Sequence, residues 1–217
     1  MGNTVGSTSA NFCNFFEKQE DSYILGLWCA DKYFWSSSVG ISNSDPALVK
    51  EFIEFFRNYL PKERLRLRIY LPDDSLKIDQ DLLERVKQEH VKRKEAKKAS
   101  QIGYHLYVNS RPFLRDFKKA EKDLANLEDP EMIKAYFAGR FDGDGSVNKN
   151  LKTDCRIVYK NEKSAEKDKK LIEKTDIKKV KVYEYKNAGT YCLYIYEEEA
   201  PKFMNYISPF LQKSYRS

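Results

Sequence analysis

Closely spaced cysteines and histidines are missing from this sequence, and their absence excludes several kinds of site. The 217 residues contain two histidines and four cysteines, and the cysteines lie far apart, with no CxxC pair among them. Because a structural zinc site needs closely spaced ligands of these types, the sequence predicts none. We interpret the cysteines as buried, reduced thiols, which indicates a reducing compartment rather than a secreted, disulfide-bonded protein.

Long apolar runs are also absent. No stretch approaches the roughly 20 residues that a membrane-spanning helix needs, and residues 1–10 are small and polar, without the apolar core of a secretory signal. We therefore expect a protein that neither spans a membrane nor is secreted, located in the cytoplasm, in an organelle or with the nucleoid. Residues 1–18 are predicted to form a disordered or irregular leader.

Basic residues outnumber acidic residues, with 39 Lys and Arg against 33 Asp and Glu and a formal charge of +6. This surplus indicates a polyanionic partner only if the basic side chains share a face. Residues 64–71, RLRLRIYL, provide such a face, because leucine and isoleucine alternate with arginine and tyrosine. The period of two predicts a strand with one buried side, and its opposite side carries Arg64, Arg66, Arg68 and Tyr70. His105 and Tyr107, on a second predicted strand, are expected beside them.

The order of predicted elements occurs twice along the chain. Residues 19–128 are predicted to form a helix, two strands, a helix, two strands and a helix, with a basic helical insert at about residues 75–100 between the last two strands. Residues 129–217 repeat this order without the insert. Repetition at half the chain length indicates two copies of one unit, so we expect an α+β fold of two pseudo-symmetric αββαββα halves.

The first helix of each half ends in a matching pattern, GLWCAD at residues 26–31 and GRFDGD at residues 139–144. In each pattern, two small residues four positions apart precede an aspartate. Residues at this spacing lie on one face of a helix, and small side chains there let two helix backbones approach closely. We therefore predict that the two helices pack together through Gly26, Ala30, Gly139 and Gly143.

Packing on these faces would place Asp31 and Asp144 side by side where the two helices end. Two carboxylates held this close repel each other and favour a shared cation. Oxygen ligands suit Mg²⁺, with Mn²⁺ or Ca²⁺ as substitutes, and Mg²⁺ can activate a water and stabilise the leaving oxygen of a phosphodiester. The pattern therefore predicts a divalent-metal site and favours phosphodiester hydrolysis.

Residues 137–147, FAGRFDGDGSV, resemble the signature of the LAGLIDADG homing endonucleases, and residues 24–31, ILGLWCAD, resemble a degenerate first copy. The resemblance covers the whole chain, since the duplicated order of elements is similar to that of the single-chain, two-motif members. It implies saddle-shaped antiparallel sheets, with the two motif helices at the interface of the halves. It also implies a Mg²⁺-dependent endonuclease that hydrolyses both strands of double-stranded DNA at a long asymmetric site, as a monomer with no obligate protein partner.

The resemblance also implies roles for individual residues. The expected metal ligands are the acid that closes each motif and the backbone carbonyl before it: Asp31, Asp144, Ala30 and Gly143. Asn43 and Lys160, near the ends of strands, would be catalytic residues together with the two acids. Arginines on the sheets would read guanine, and lysines would meet phosphates. The expected DNA contacts are Lys32, Trp35, Ser37, Arg64, Arg66, Arg68, Tyr70, His105, Tyr107, Lys149, Lys152, Arg156, Lys179, Lys181, Tyr183 and Tyr185.

Lys32 departs from the family pattern, which has glycine after the first acid. A cation beside a metal ligand either holds a phosphate or weakens metal binding, so a nickase, an RNA maturase and a DNA-binding regulator stay open as alternatives. A different nuclease pattern, PD…ExK, matches Pro72, Asp73 and Glu95–Lys97. That chemistry needs its second element on a strand, whereas this segment is predicted to be helical. The target sequence and the kind of gene, intron-encoded, intein or free-standing, also stay open.

Overall fold

The structure is a computed structural model that describes residues 13–73, 76–97, 99–148 and 154–212. The fold is α+β, as predicted, and it consists of two halves that meet at a pair of helices. Each half contains one sheet, and the apolar face of each sheet packs against helices of the same half. Within the described ranges, every helix is too short or too polar to cross a membrane.

The N-terminal half is built on a sheet with the strand order β1-β2-β5-β3-β4. Neighbouring strands are antiparallel, except β3 and β4, which run parallel. The elements in chain order are α1 (Gln19–Asp31), β1 (Lys32–Trp35), β2 (Ser38–Asn43), α2 (Pro46–Tyr59), β3 (Leu65–Leu71), α3 (Gln80–Glu84), β4 (Val91–Glu95), β5 (Gly103–Asn109) and α4 (Arg111–Asp123).

The C-terminal half repeats this order without α3 and β4. Its sheet has the strand order β6-β7-β9-β8, and each neighbouring pair is antiparallel. The two described halves therefore share the predicted sequence of helix, two strands, helix, two strands and helix. The elements are α5 (Pro130–Asp144), β6 (Gly145–Val147), β7 (Asp154–Tyr159), α6 (Glu162–Ile172), β8 (Val180–Tyr185), β9 (Thr190–Tyr196) and α7 (Glu199–Ile207).

The segment predicted as a basic helical insert is largely not helical, which corrects that prediction. Its first part contains the short helix α3, but residues 91–95, VKRKE, form strand β4 parallel to β3. Lysine and glutamate favour helices in isolation, but this segment has no apolar stripe with which a helix could be held on the core. Backbone pairing with the open edge of β3 prevails instead. The first sheet is therefore mixed rather than purely antiparallel.

Residues 13–18 of the predicted leader form a turn that packs on the core. Cys13 and Phe15 are buried, and the ring of Phe15 lies 4.5 Å from that of Phe117 in α4. Burial raises the pKa of the Cys13 thiol, so it stays protonated at neutral pH. The rest of the predicted leader, residues 1–12, lies outside the described residues.

Helices α1 and α5 cross in backbone contact at the centre of the molecule. A Cβ atom on Gly26 would overlap the carbonyl oxygen of Tyr136 and lie 2.9 Å from Arg140 N, and a Cβ on Gly139 would lie 2.7 Å from Leu27 N. Both helices are buried nearly all round, because each also packs on elements of its own half. This contact, hereafter the glycine seam, joins the two halves.

The glycine seam makes Gly139→Ala a destabilising change, because the added methyl group meets fixed backbone rather than a side chain that can move. We expect a loss of stability of about 1–3 kcal/mol or more, the range of overpacked cores, measured by urea denaturation. Gly103→Ala is the matched control, since its Cβ would lie 3.7 Å from the Tyr70 Cβ in ordinary contact. Equal stability of the two variants would contradict the seam.

Candidate metal and nucleic-acid site

The two motif acids lie at the ends of the crossed helices. Asp31 is the last residue of α1 and Asp144 the last residue of α5. A Cβ atom on Gly143 would lie 3.0 Å from Asp31 Oδ2 and would overlap the side chain of Ala30. The carboxylate of Asp31 therefore lies against the end of the opposite helix, beside the residue that precedes Asp144. The predicted convergence of the two motif ends is present.

This position suits a divalent cation. The last carbonyls of a helix lack partners within the helix and carry the negative end of its dipole, and the carbonyls of Ala30 and Gly143 lie in these last turns. Among the described residues, no group of three or more acidic, histidine or cysteine side chains is placed so that it could hold a metal ion. A set of one or two carboxylates matches Mg²⁺, which completes its shell with waters and substrate phosphate. The oxygen donors therefore fit the predicted metal.

Asn43 contacts the first of these acids directly. Its Nδ2 donates to Asp31 Oδ2 at 2.6 Å, and its Oδ1 accepts from the backbone N–H of Asp45 at 2.7 Å. The second bond fixes the orientation of the amide, because only the nitrogen is then left to face the carboxylate. Asn43 thus positions Asp31.

Lys160 lies near the second acid. It follows β7 directly, its side chain is exposed, and it lines the same cavity of about 100 Å³ as Asp144 and Arg140. The structure therefore places Asn43 in contact with Asp31, and Lys160 in the lining of the cavity that also contains Asp144.

Arg140 is a contact of Asp144 that the predicted site did not include. Its Nη1 lies 3.6 Å from Asp144 Oδ2, and its Nε lies 3.3 Å from Asp168 Oδ2 without hydrogen-bond alignment. Tyr136 and Tyr159 donate to Asp168 at 2.9 and 2.8 Å, and the guanidinium stacks over the Tyr159 ring. Burial raises the pKa of Asp168, and Arg140 and the two hydroxyls act against that rise. The sequence could have revealed this contact, because Arg140 and Asp144 are four residues apart and therefore one turn apart on the helix.

Asp142, two residues before Asp144, links α5 to α1. Its carboxylate is fully buried and accepts hydrogen bonds from Tyr23 Oη on α1 and from the backbone N–H of Gln212, both at 2.8 Å. The carboxylate of Asp142 therefore has a structural role.

Lys32 does not lie with the arginines of the first sheet. In the strand register it is opposite Ile41, so its side chain leaves the core-facing side of β1. Its Nζ pairs with Glu121 on α4 at 2.6 Å and lies over the Trp28 ring. The positive charge is offset by Glu121 and lies on the side of the sheet opposite the arginines, where Lys32 lines the same cavity as Asp144.

The predicted row of arginine and aromatic side chains on one side of the first sheet is present. Arg66 is opposite Tyr107 and Arg68 is opposite His105, so these four side chains leave one side of the sheet. Arg68 stacks over the Tyr107 ring at 5.0 Å, and its Nε has no hydrogen-bond partner. Burial and the Arg68 guanidinium lower the pKa of His105, which is therefore neutral at pH 7. The ring of Tyr70 lies 4.5 Å from that of His105.

The margins of this face carry the remaining predictions for the first half. Arg64 precedes β3 in a 3₁₀ turn and donates to the carbonyl of Asn109 at 2.9 Å. Trp35, at the end of β1, is 75% exposed. Ser37 lies in the turn that follows, and its carbonyl accepts from Ser110 N.

Strand β4 adds two cations that sequence reasoning missed. Lys92 is opposite Arg68 and Lys94 is opposite Tyr70 in the parallel register, so both extend the same basic face. The alternation that could have revealed them is weak, because four of the five residues of β4 are charged. We call the set Arg66, Arg68, Lys92 and Lys94 the basic face.

The exposed side of the second sheet has a different composition. Arg156 donates to Ser146 Oγ at 3.0 Å and to Tyr194 Oη at 3.4 Å. Lys181 is opposite Tyr194, and the side chains of Tyr183 and Tyr185 on the same strand are 48% and 38% exposed. Lys179 precedes β8 and is neutralised by Glu197 and Glu198 at 2.5 and 2.6 Å. The predicted contacts Lys149 and Lys152 lie outside the described residues.

Solved structures share this arrangement of helices and sheets. A crystal structure of I-DmoI with DNA and Mn is 18% identical, covers 90% of this chain and 98% of its own, and has a TM-score of 0.59. Mesophilic variants of the homing endonuclease I-DmoI are 19% identical, with coverages of 87% and 94% and a TM-score of 0.58. The N-terminal LAGLIDADG domain of DUF199/WhiA is 14% identical, with coverages of 91% and 86% and a TM-score of 0.55.

These similarities define the class of fold. The chain has the LAGLIDADG fold, with two motif helices at the interface of two halves. More particularly, it has the two-unit, single-chain form of this fold that I-DmoI shows over nearly its whole length. No protein-family model and no curated protein matches the sequence. The resemblance of the motifs is thereby confirmed as a resemblance of fold.

Arg140 should stabilise the fold through its contact with Asp168. Arg140→Leu, which introduces the type of residue found at the matching position Leu27, leaves the Asp168 carboxylate buried without its cation. We expect a loss of about 3–5 kcal/mol, typical of breaking one side of a buried ion pair, measured by urea denaturation. Asp123→Asn removes one side of the more exposed pair with Lys119 and should cost about 1 kcal/mol or less. Similar losses in both variants would contradict the assignment.

Proposed function

We propose that this protein is a site-specific endonuclease that hydrolyses both strands of double-stranded DNA with Mg²⁺, and that Mn²⁺ or Ca²⁺ can occupy the same site. One observation carries the proposal: the Asp31 carboxylate lies against the end of α5, next to Gly143, the residue that precedes Asp144. Similar folds have been crystallised with DNA and Mn and with DNA and Ca. Those complexes support the assignment of ligand and metal to this chain.

The sheets support DNA as the substrate. Strand β1 begins directly after Asp31 and strand β6 directly after Asp144, so each sheet extends outward from the acids. The basic face offers arginines for guanine edges and lysines for phosphates. Because one chain contains both halves, we propose that it acts as a monomer without an obligate protein partner.

The roles of the site residues follow from their contacts. Asp31 and Asp144, with the carbonyls of Ala30 and Gly143, would hold the cation, which would supply an activated water and stabilisation of the leaving oxygen of the phosphodiester. Asn43 holds the Asp31 carboxylate in one orientation by its hydrogen bond. Lys160 places a positive charge near Asp144, where charge develops on a phosphate during cleavage.

A DNA-binding protein without cleavage is the second candidate. The observation in its favour is the ion pair of Arg140 with Asp144 at 3.6 Å, since a fixed cation there competes with metal for the carboxylate. Asp168 partly neutralises the Arg140 guanidinium, which favours the nuclease, because the charge beside Asp144 is then already balanced. Lys32 lines the same cavity as Asp144, and its pairing with Glu121 offsets its charge there.

The PD…ExK alternative cannot be rejected because of a helical context, since its second element lies on a strand. Glu95 lies on strand β4 rather than on a helix, so the predicted helical context was wrong. Its side chain is 68% exposed and pairs with Lys97 at 3.3 Å. It therefore lies on a solvated edge, opposite Leu71 of β3 and away from the helix ends that hold Asp31 and Asp144.

Asp144→Asn tests the proposed chemistry. Losing one charged ligand should lower the rate of double-strand cleavage by roughly 10²–10³-fold, the scale for loss of one electrostatic stabiliser, while DNA binding stays largely intact. Cleavage is measured as linear product from a supercoiled plasmid that carries a site selected from a random library. Glu95→Gln is the matched control and should cleave normally. Normal cleavage by Asp144→Asn, or its loss in Glu95→Gln, would refute the assignment.

Arg68→Ala and Lys94→Ala separate base reading from phosphate binding on the basic face. Arg68→Ala should weaken binding by about 1–3 kcal/mol and relax the preference for guanine at one position of the target. Lys94→Ala should reduce the slope of log affinity against log salt by about 1 without changing the preferred sequence. Fluorescence anisotropy with a labelled duplex measures both. A lost guanine preference in Lys94→Ala together with a reduced salt slope in Arg68→Ala would mean that Lys94 reads a base and Arg68 binds a phosphate.

A further inference from the structure

The exposed side of the second sheet carries a cluster of tyrosines in place of the arginines of the first. Tyr183 and Tyr185 lie on β8, and Tyr194 and Tyr196 lie on β9. The Tyr194 ring is the centre: the Tyr183 ring meets it edge-on at 5.4 Å, and the Tyr185 ring stacks at 6.4 Å. We call these four residues the tyrosine face. The rings line a groove of about 610 Å³.

The hydroxyl groups at the centre of this face are already engaged. Tyr185 Oη and Tyr194 Oη are hydrogen-bonded to each other, and Arg156 Nη1 reaches Tyr194 Oη at 3.4 Å. Arg156 is in turn held by Ser146 Oγ at 3.0 Å. The rings of Tyr185 and Tyr194 are thus held by their neighbours before any ligand arrives, and the exposed rings of Tyr183 and Tyr185 offer apolar surface.

The charges around the groove argue against a phosphate ligand. Its rim carries three acids, Asp154, Glu184 and Glu197, against one lysine, Lys181, which lies over the Tyr196 ring at 5.8 Å. Lys179 at the start of β8 is paired with Glu197. Arg156, which contacts the Tyr194 hydroxyl, adds a second cation, so these charges offset one another and a phosphate here would meet no net positive charge. The groove therefore suits an apolar group that projects from a base.

We infer that the tyrosine face reads the C5 methyl groups of thymines in the major groove. The methyl of thymine is the one apolar group that base edges present there, and apolar side chains recognise it by contact. The inference rests on the proposed binding of double-stranded DNA and adds the chemistry of one half-site. The basic face reads guanine, and the tyrosine face reads thymine, so the two halves of the target differ in composition.

Replacing thymine with uracil tests this inference, because it removes the methyl group and keeps base pairing. A duplex is selected by binding to the Asp144→Asn protein, and the thymines of each half are replaced separately. We expect the half bound by the second sheet to contain thymine and to lose affinity roughly fourfold for each contacted methyl, the value of one buried methyl group. The other half should be insensitive. Fluorescence anisotropy gives the dissociation constants.

Two variants connect the effect to the ring. Tyr183→Ala should discriminate less between the thymine and uracil duplexes, by the roughly fourfold of one methyl contact, whereas Tyr183→Phe should keep the full discrimination, because the ring rather than the hydroxyl makes the contact. Tyr183 is half exposed, so its removal leaves the core intact, which a thermal melt verifies. Arg68→Ala is the matched control in the first sheet and should keep the full discrimination between thymine and uracil.

The outcomes separate this inference from the proposed function. A selection that recovers no bound duplex overturns the proposed function and this inference with it. A recovered duplex that lacks thymine in the half bound by the second sheet, or that binds equally well with uracil, overturns the inference alone. So does discrimination that is undiminished in Tyr183→Ala or disappears in Tyr183→Phe.

Discussion

The contact of two helix backbones at the glycine seam determines the position of everything else in this molecule. Because Gly26 and Gly139 have no side chains, α1 and α5 approach until each touches the main chain of the other. Their last turns therefore converge, and with them the two acids. The strands that start directly after these turns fan out on either side. A single methyl group on either glycine would alter the spacing of the acids and both sheets together.

The two halves share their order of elements but not their chemistry. At matching helix positions, Leu27 stands where the second half has Arg140, and Cys29 stands where it has Asp142. The second acid consequently lies beside a buried guanidinium, whereas the first is oriented by an amide. The sheets differ in the same way, with cations on one and tyrosines on the other. The two halves thus share an arrangement of helices and strands, and each half has its own polar contacts within that arrangement.

Patterns with a strong period were predicted correctly from the sequence. The alternation in β3, the repeated order of elements and the small residues of the motifs each follow from local geometry, and they define the fold and the position of the acids. Three features depend on partners far along the chain. Strand β4 exists because β3 offers it an edge, Lys32 points to Glu121 because of the strand register, and Arg140 is buried because Asp168 on α6 faces it. No local pattern contains these partners.

Strand β4 has a consequence for the behaviour of the protein at high concentration. It forms the outer edge of the first sheet, where unpaired backbone groups would otherwise act as a template for strands of other molecules. Four consecutive charged side chains, Lys92 to Glu95, are exposed along that edge. An approaching chain would have to strip water from these charges before its backbone could pair. The edge is thereby protected against intermolecular β-sheet formation, which keeps a basic, aromatic-rich protein dispersed.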